Sequence, residues 1–297
     1  MEISNNNKHA YCIIAHNEPK ILATLVELID DERNDIFLLV DKKTDIGIYD
    51  GIHPKKAKLY LSPRVDIRWG DTSQILAELT LFEFAYEHGP YKIYHLLSGV
   101  DLPIKSQDYI HEFIADNPNT EFVGFVSKEC QSQLYYKTNY YHFFTHFAQS
   151  SNASIRKIAS KADGISIKTQ RMLGVKRKCK MQLMKGCNWC SITNELVSYL
   201  IENKDNILHN FAYMLCADEI FLQTMVWNSK FMENVYAKEE YVSCLREINW
   251  TKGSPYIWGS EDVEDDEKIL KESKALFARK FTEKHYNIVE SIKKQQK

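Results

Sequence analysis

The chain has 297 residues, 44% of them apolar and 26% charged, with a formal net charge of −2. That length suits one large α/β domain or two small ones, and the balance excludes a disordered, low-complexity or fibrous chain. No apolar run approaches the roughly 18 residues of a membrane-spanning helix. The start, MEISNNNKHAYCIIAHNE, reads as no cleavable signal, and the seven cysteines, an odd number, are expected to be reduced thiols of a cytosolic protein.

Residues 10–15 (AYCIIA) predict a buried strand. Residues 19–32 predict a helix with Pro19 in its first turn and Ile21, Leu22, Leu25, Leu28 and Ile29 on its apolar face. A second buried strand at 36–40 (IFLLV) runs into Asp41, and a short one follows at 58–61. Residues 72–88 predict a helix capped by Asp71, Thr72 or Ser73, with Ile75, Leu76, Leu79, Phe82 and Phe84 inward. Strands follow at 93–97 (IYHLL), which breaks into the polar turn SGVDLP, and at 121–126 (EFVGFV). Strands of continuous apolar residues alternating with helices mean a parallel sheet covered on both faces.

The second half is less regular. An aromatic cluster at 135–147 (YYKTNYYHFFTHF) precedes a basic stretch, and a strand is expected at 186–193 (GCNWCSIT). Helices are expected at 194–203, from 217 to 227, and from about 261 to 295. Neither a repeat nor a Pro/Gly linker divides the chain, so the expectation is a single domain, 1–297, with a variable insertion around 130–185.

Residues 150–185 carry ten Lys and Arg against the lone Asp163. A solvated loop is one reading. An anionic partner is the other, and a membrane surface fits better than nucleic acid: Ile155, Ile158, Ile165, Ile167, Met172, Leu173 and Val175 are interleaved, and aromatics are absent. Cys187 and Cys190 form a CNWC pair, but no second pair or histidines at ligand spacing follow closely, which reads as two small side chains on a strand rather than zinc. Three strand ends are polar: His16–Asn17, Asp41–Lys42–Lys43, and Ser98–Gly99 with Asp101. Ligands of open α/β sheets bind at such ends, and together these outline a nucleotide-sized crevice. GxGxxG and GxxxxGK[ST] are both absent, which disfavours a dinucleotide dehydrogenase and a P-loop enzyme.

Four blocks of the amino half are similar to the core-2/I-branching glycosyltransferase family: HAYCIIAHNEPKILATLVELI, IFLLVDKKTD, VDIRWGDTSQILAELTLFEFA and YHLLSGVDLPIKS. GCNWCSIT, ADEIFLQTMV, LREINW and ALFARKF follow in matching order, so the resemblance spans about residues 9–282, with 127–182 unmatched in detail. That family includes β-1,6-N-acetylglucosaminyltransferases and, more distantly, peptide O-xylosyltransferases. The resemblance implies a GT-A-like, Rossmann-type fold, a UDP-sugar donor, inversion at the anomeric carbon and independence of metal, so no cofactor is expected. In keeping with the last point, SGVD carries one Asp followed by Leu-Pro, where other enzymes of the fold use Asp-x-Asp to hold a cation. The acidic cluster at 261–267 reads better as a solvated helix start than as a metal site.

Carried over by motif, Glu219 is the implied base, in CADEIFLQTMV with Ala217 where Pro is usual; Asp218 and Glu219 also suit a helix start. Arg246 (LREINW) and Lys280 (ARKF) are the implied diphosphate ligands, and Arg279 is adjacent. Ala15, His16, Asp41, Trp69 and Gly70 are the implied nucleotide site, although Trp69 also reads as packing. Ser98, Asp101, Asn188, Trp189 and Trp250 are implied near the sugars, with Asp101 equally suited to holding its own turn. The aromatic cluster of Tyr135, Tyr136, Tyr140, Tyr141 and His142 suits either sugar stacking or the core.

Reduced cysteines and the lack of an anchor set the chain apart from secretory-pathway members and suggest a bacterial one. The implied reaction moves a sugar, with N-acetylglucosamine favoured, to a hydroxyl of a glycan acceptor, expected to be lipid-linked, in surface polysaccharide synthesis. The location expected is the cytoplasm, peripherally on the inner membrane face, and no nucleic-acid partner is expected. UDP-xylose, UDP-glucose or UDP-galactose are alternative donors. A non-catalytic sugar- or nucleotide-binding relative is the alternative of another class.

Overall fold

In the computed structural model, which describes residues 7–127, 131, 134–148, 150, 152–238 and 241–296, strand β1 (His9–Ala15) pairs in parallel with β2 (Asn34–Val40) on one side and β4 (Ile93–Ser98) on the other. Short β3 (Lys58–Leu61) extends the sheet beyond β2, also in parallel. The two-residue β6 (Ser191–Ile192) adds to β4 antiparallel, giving the order β3-β2-β1-β4-β6. Burial follows the apolar runs: β2 is buried at every residue and β1 at all but one, as a sheet covered on both faces requires.

The strands send alternate side chains to two separate cores. Cys12 and Phe37 join Ile75, Leu79 and Phe82 of helix α2 (Ser73–His88) on one face. Ile13 and Leu38 join Leu22 and Leu25 of α1 (Pro19–Leu28) on the other, together with Ile110 of α3 (Gln107–Asp116) and Ile288 of α11 (Tyr286–Gln295). This is the expected α/β architecture, a mostly parallel sheet flanked by helices. In α2 the inward face is shifted: Ala77, Glu78, Leu81 and Ala85 are buried, whereas Leu76 and Phe84 are only partly so.

A second sheet escaped the sequence reading. It joins β5 (Asp101–Pro103), β7 (Arg246–Ile248) and β8 (Phe277–Arg279) in the order β5-β8-β7. Three-residue strands carry too little pattern to be seen in sequence. β8 also interrupts the helix expected over 261–295, leaving α10 (Val263–Glu272) before it and α11 after. Residues 121–126 make isolated bridges to Val235, Ser191 and Gly186 rather than a full strand. Of 186–193 only Ser191–Ile192 is strand.

The insertion is mainly helical: α4 (Leu134–Thr138), α5 (Thr145–Ala148) and the 20-residue α6 (Ala153–Met172). Residues 130, 132, 133, 149 and 151 of that segment lie outside the described residues. Helices α7 (Asn194–Glu202) and α8 (Lys204–Phe211) follow β6. A 3₁₀ turn, Ala217–Glu219, then leads into α9 (Phe221–Trp227), so the helix expected from 217 is broken at Ile220.

Candidate active site

Chain order runs from β1 outward to β2 and β3, then returns across β1 to β4. The carboxyl ends of β1 and β4 therefore form a switch point, where the chain leaves β1 toward one edge of the sheet and β4 toward the other and a crevice opens. A cavity of about 320 Å³ lies there, with walls that include His16, Asp41, Trp69, Ser98, Trp189 and Arg279. Three of the strand ends singled out in the sequence thus meet at one site.

Ser98 and Asp101 form a closed turn. The Ser98 N–H donates to Asp101 Oδ2 at 2.8 Å and the Ser98 hydroxyl lies 3.1 Å from Asp101 Oδ1. Arg279 Nη1 donates to the same Oδ1 at 2.7 Å and to the Ser98 hydroxyl. Asp101 is 1% exposed with both oxygens engaged. Of its two readings, the structure places it in the turn-holding one rather than against a sugar. Gly99 lets the turn sit flat on β1, because a Cβ there would lie 3.0 Å from the Ala15 Cβ. Ala15 itself is buried in packing and does not line the cavity.

The guanidinium in the crevice belongs to Arg279, which stacks 4.5 Å over the Trp189 ring. Arg246 corrects the reading of LREINW. It is 5% exposed, and its two terminal nitrogens donate to the Ser191 hydroxyl (3.0 Å) and to the carbonyls of Cys244 (2.6 Å), Leu96 (3.0 Å) and Cys190 (2.5 Å). It also lies over the Phe277 ring at 4.7 Å. Arg246 is thus a clamp between the two sheets, walled off from the crevice. Lys280 follows Arg279, and its ammonium has no hydrogen-bond or ion-pair partner among the described residues. It lies near enough to His16 that its charge, with that of Arg279, adds to the burial that lowers the His16 pKa; Asp41 opposes both.

Asp41 is held by Lys43, whose ammonium lies 2.9 and 2.8 Å from its two oxygens. Trp69 lines the crevice but is 61% exposed, so packing does not account for it. Gly70 adopts φ +75°, a left-handed turn that suits glycine. Its N–H donates to Gln74 Oε1 and its carbonyl receives the Cys216 N–H. That second bond brings the Ala217–Glu219 turn to the crevice rim. Asn188 and Trp189 line the cavity as expected. Trp250 does not; it is half-exposed and donates to the Tyr241 hydroxyl at 3.0 Å.

Glu219 is outside the cavity lining. Its carboxylate is steadied by Lys137 of α4 at 2.8 Å and Lys185 at 3.4 Å. Inside the crevice lies a carboxyl that the sequence reading missed. Glu78 is 1% exposed and lines the cavity with Gln74 and Asn188, and Gln74 also bonds Asp218 at 3.0 Å. Glu78 Oε2, Asp218 Oδ1 and Asn188 Oδ1 are buried with no partner among the described residues. A carboxylate between the inward residues Ile75, Leu79 and Phe82 was the available signal.

Burial, reinforced by the charge of Asp218, pushes Glu78 well above the usual carboxylate range. Burial next to Glu219 raises Asp218 to about 7. In the unfolded chain both ionise near pH 4. The folded protein therefore binds more protons than the unfolded chain above that pH, and these two groups make stability fall as pH rises from about 4 through 7. Replacing Glu78 by Gln removes one such group. The melting temperature of Glu78→Gln relative to wild type is expected to be higher at pH 8 than at pH 5; an equal difference at both would contradict this account.

Among the described residues no three His, Cys, Asp or Glu side chains are grouped to hold a metal, and no helix is long and apolar enough to cross a membrane. Cys187 packs with Cys244 and Ile248, apart from the fully buried Cys190. The Tyr135–His142 cluster splits: Tyr140 and His142 are buried, and Tyr135 and Tyr136 are about half exposed.

A family model described as Core-2/I-Branching enzyme matches residues 5–269. No curated protein matches the sequence. Among solved structures, that of mouse xyloside xylosyltransferase 1 in its apo form is similar, with a TM-score of 0.40 at 10% identity, covering 91% of this chain and 96% of that one.

Proposed function

The chain belongs to the core-2/I-branching enzyme family and is a glycosyltransferase, and from that premise we propose that it inverts the anomeric carbon of a UDP-sugar without help from a metal. The family implies a nucleotide-sugar donor and a glycan acceptor. The observation that carries the finer reading is the convergence of His16, Asp41, Ser98 and Arg279 on one crevice at the switch point, with Lys280 beside it.

The uridine lies along His16, Asp41 and Trp69. The diphosphate lies toward Arg279 and Lys280, a planar fork and a point charge respectively. Glu219 takes the proton of the acceptor hydroxyl as its oxygen bonds to the anomeric carbon. The bond from that carbon to the phosphate oxygen breaks on the opposite face, and its electron pair leaves with UDP. Cations fixed in place before the reaction stabilise the charge that develops there. In this reading the sugar is N-acetylglucosamine and the acceptor a lipid-linked glycan of a bacterial surface polysaccharide, reached from the cytoplasmic face of the membrane.

UDP release from UDP-N-acetylglucosamine, UDP-xylose, UDP-glucose and UDP-galactose, with and without EDTA, tests it. The expected result is fastest release from UDP-N-acetylglucosamine, unchanged by EDTA. Loss of activity in EDTA would overturn metal independence, and a different best substrate would reassign the donor. Binding of UDP with no turnover of any of the four would favour a non-catalytic relative.

A further inference from the structure

We propose that the outer face of α6 is a docking surface for an anionic lipid bilayer. The helix is fastened by its inner face. Its N-terminus is capped by Asn152, whose side-chain oxygen accepts the N–H groups of Ser154 and Ile155. Asp163 bonds His142 at 2.8 Å, Gln170 exchanges hydrogen bonds with the Tyr141 backbone, and Ala159 and Ile167 are buried.

The face turned away is unusual in two ways. Ile158, Ile165 and Met172 are seven residues apart, so they form one stripe about 21 Å long, and they are 67%, 65% and 86% exposed. Leu173, 72% exposed, extends it. Beside the stripe, about 60° around the helix, runs a row of exposed lysines, Lys157, Lys161 and Lys168. The lone acid of residues 150–185, Asp163, is spent on His142 at the inner face, so no described residue of the outer face opposes that charge.

An apolar stripe flanked by ammonium groups fits a bilayer interface, where the stripe enters the acyl boundary and the lysines meet anionic headgroups. A second copy of this chain fits poorly: with the two α6 helices packed stripe on stripe, the outer face of neither supplies an acid to pair the lysines. Nucleic acid would meet aliphatic side chains where stacking aromatics are expected. The same insertion reaches the rim of the crevice through Lys137 on Glu219 and His146 near Asp71 at 3.9 Å. The bilayer is useful under the lipid-linked acceptor proposed above and rests on that reading only for its purpose; binding itself does not depend on it.

The test is flotation of the full chain with vesicles of phosphatidylcholine alone or with about a third phosphatidylglycerol, at low and high salt. Wild type is expected to float with the anionic vesicles at least about tenfold better than with neutral ones, and less well as salt rises. Two triple variants are compared: Ile158→Ser with Ile165→Ser and Met172→Ser, and Lys157→Glu with Lys161→Glu and Lys168→Glu. Both are expected to lose about tenfold or more in binding while keeping the wild-type melting temperature and the wild-type rate of UDP release with a water-soluble acceptor. Binding unchanged in either variant overturns the proposal. So does a dimer in light scattering that the serine variant abolishes, or retention on DNA or RNA that the serine variant keeps. Normal flotation by a protein that releases no UDP would overturn the enzymatic reading and leave the docking surface standing.

Discussion

Glu219→Gln is expected to reduce turnover by about 10²–10⁴-fold, the range for losing a general base, with donor affinity unchanged within about twofold. The amide has the size of the carboxylate but accepts no proton at neutral pH. Because Glu219 stands at the rim and not in the cavity, the donor does not depend on it. Its carboxylate is held by Lys137 at 2.8 Å and Lys185 at 3.4 Å, which fixes its direction before an acceptor arrives. Steady-state kinetics with calorimetric binding of UDP separates the two effects. Full activity in the variant would remove Glu219 from the mechanism and turn attention to Glu78 and Asp218, the buried carboxyls beside Gln74.

Arg246→Ala is expected to cost about 3–5 kcal/mol of stability, because each buried acceptor that loses its donor costs about 1–3 kcal/mol, offset in part by no longer burying a guanidinium whose Nε has no partner among the described residues. The side chain supplies hydrogen bonds to four acceptors, Ser191, Cys244, Leu96 and Cys190, all at the junction of the two sheets. Alanine leaves a cavity over Phe277 as well. Arg246→Lys rescues little, since one ammonium cannot span the positions of a guanidinium fork. Denaturant unfolding reads this as a lowered midpoint at unchanged slope. A variant as stable as wild type that no longer binds UDP would instead return Arg246 to the diphosphate.

Arg246 and Arg279 together explain how far the sequence could be read. β1, β2, β4 and α2 were legible because buried strands write themselves as unbroken apolar runs and α2 as a helical stripe. The crevice followed, since its first groups stand immediately after those runs. Arg246 and Arg279 sit at the start and the end of three-residue strands, where one step of register turns a side chain from the interior to the cavity. Motif order placed them; it did not say which way either pointed. Glu78 was hidden by the rule that an inward helix position is apolar, and α6 by the converse, since its isoleucines divide between a buried face and a solvent face.

The crevice groups His16, Asp41, Ser98 and Arg279 stand in or just past β1, β2, β4 and β8, whereas both tethers of Glu219, Lys137 and Lys185, fall within the insertion at 130–185. On the proposed assignment, nucleotide handling and the steadying of the base therefore lie in separable stretches of the chain. Under the proposed function, exchange of residues 130–185 between relatives is expected to alter acceptor choice while the donor stays the same, without rebuilding the sheet.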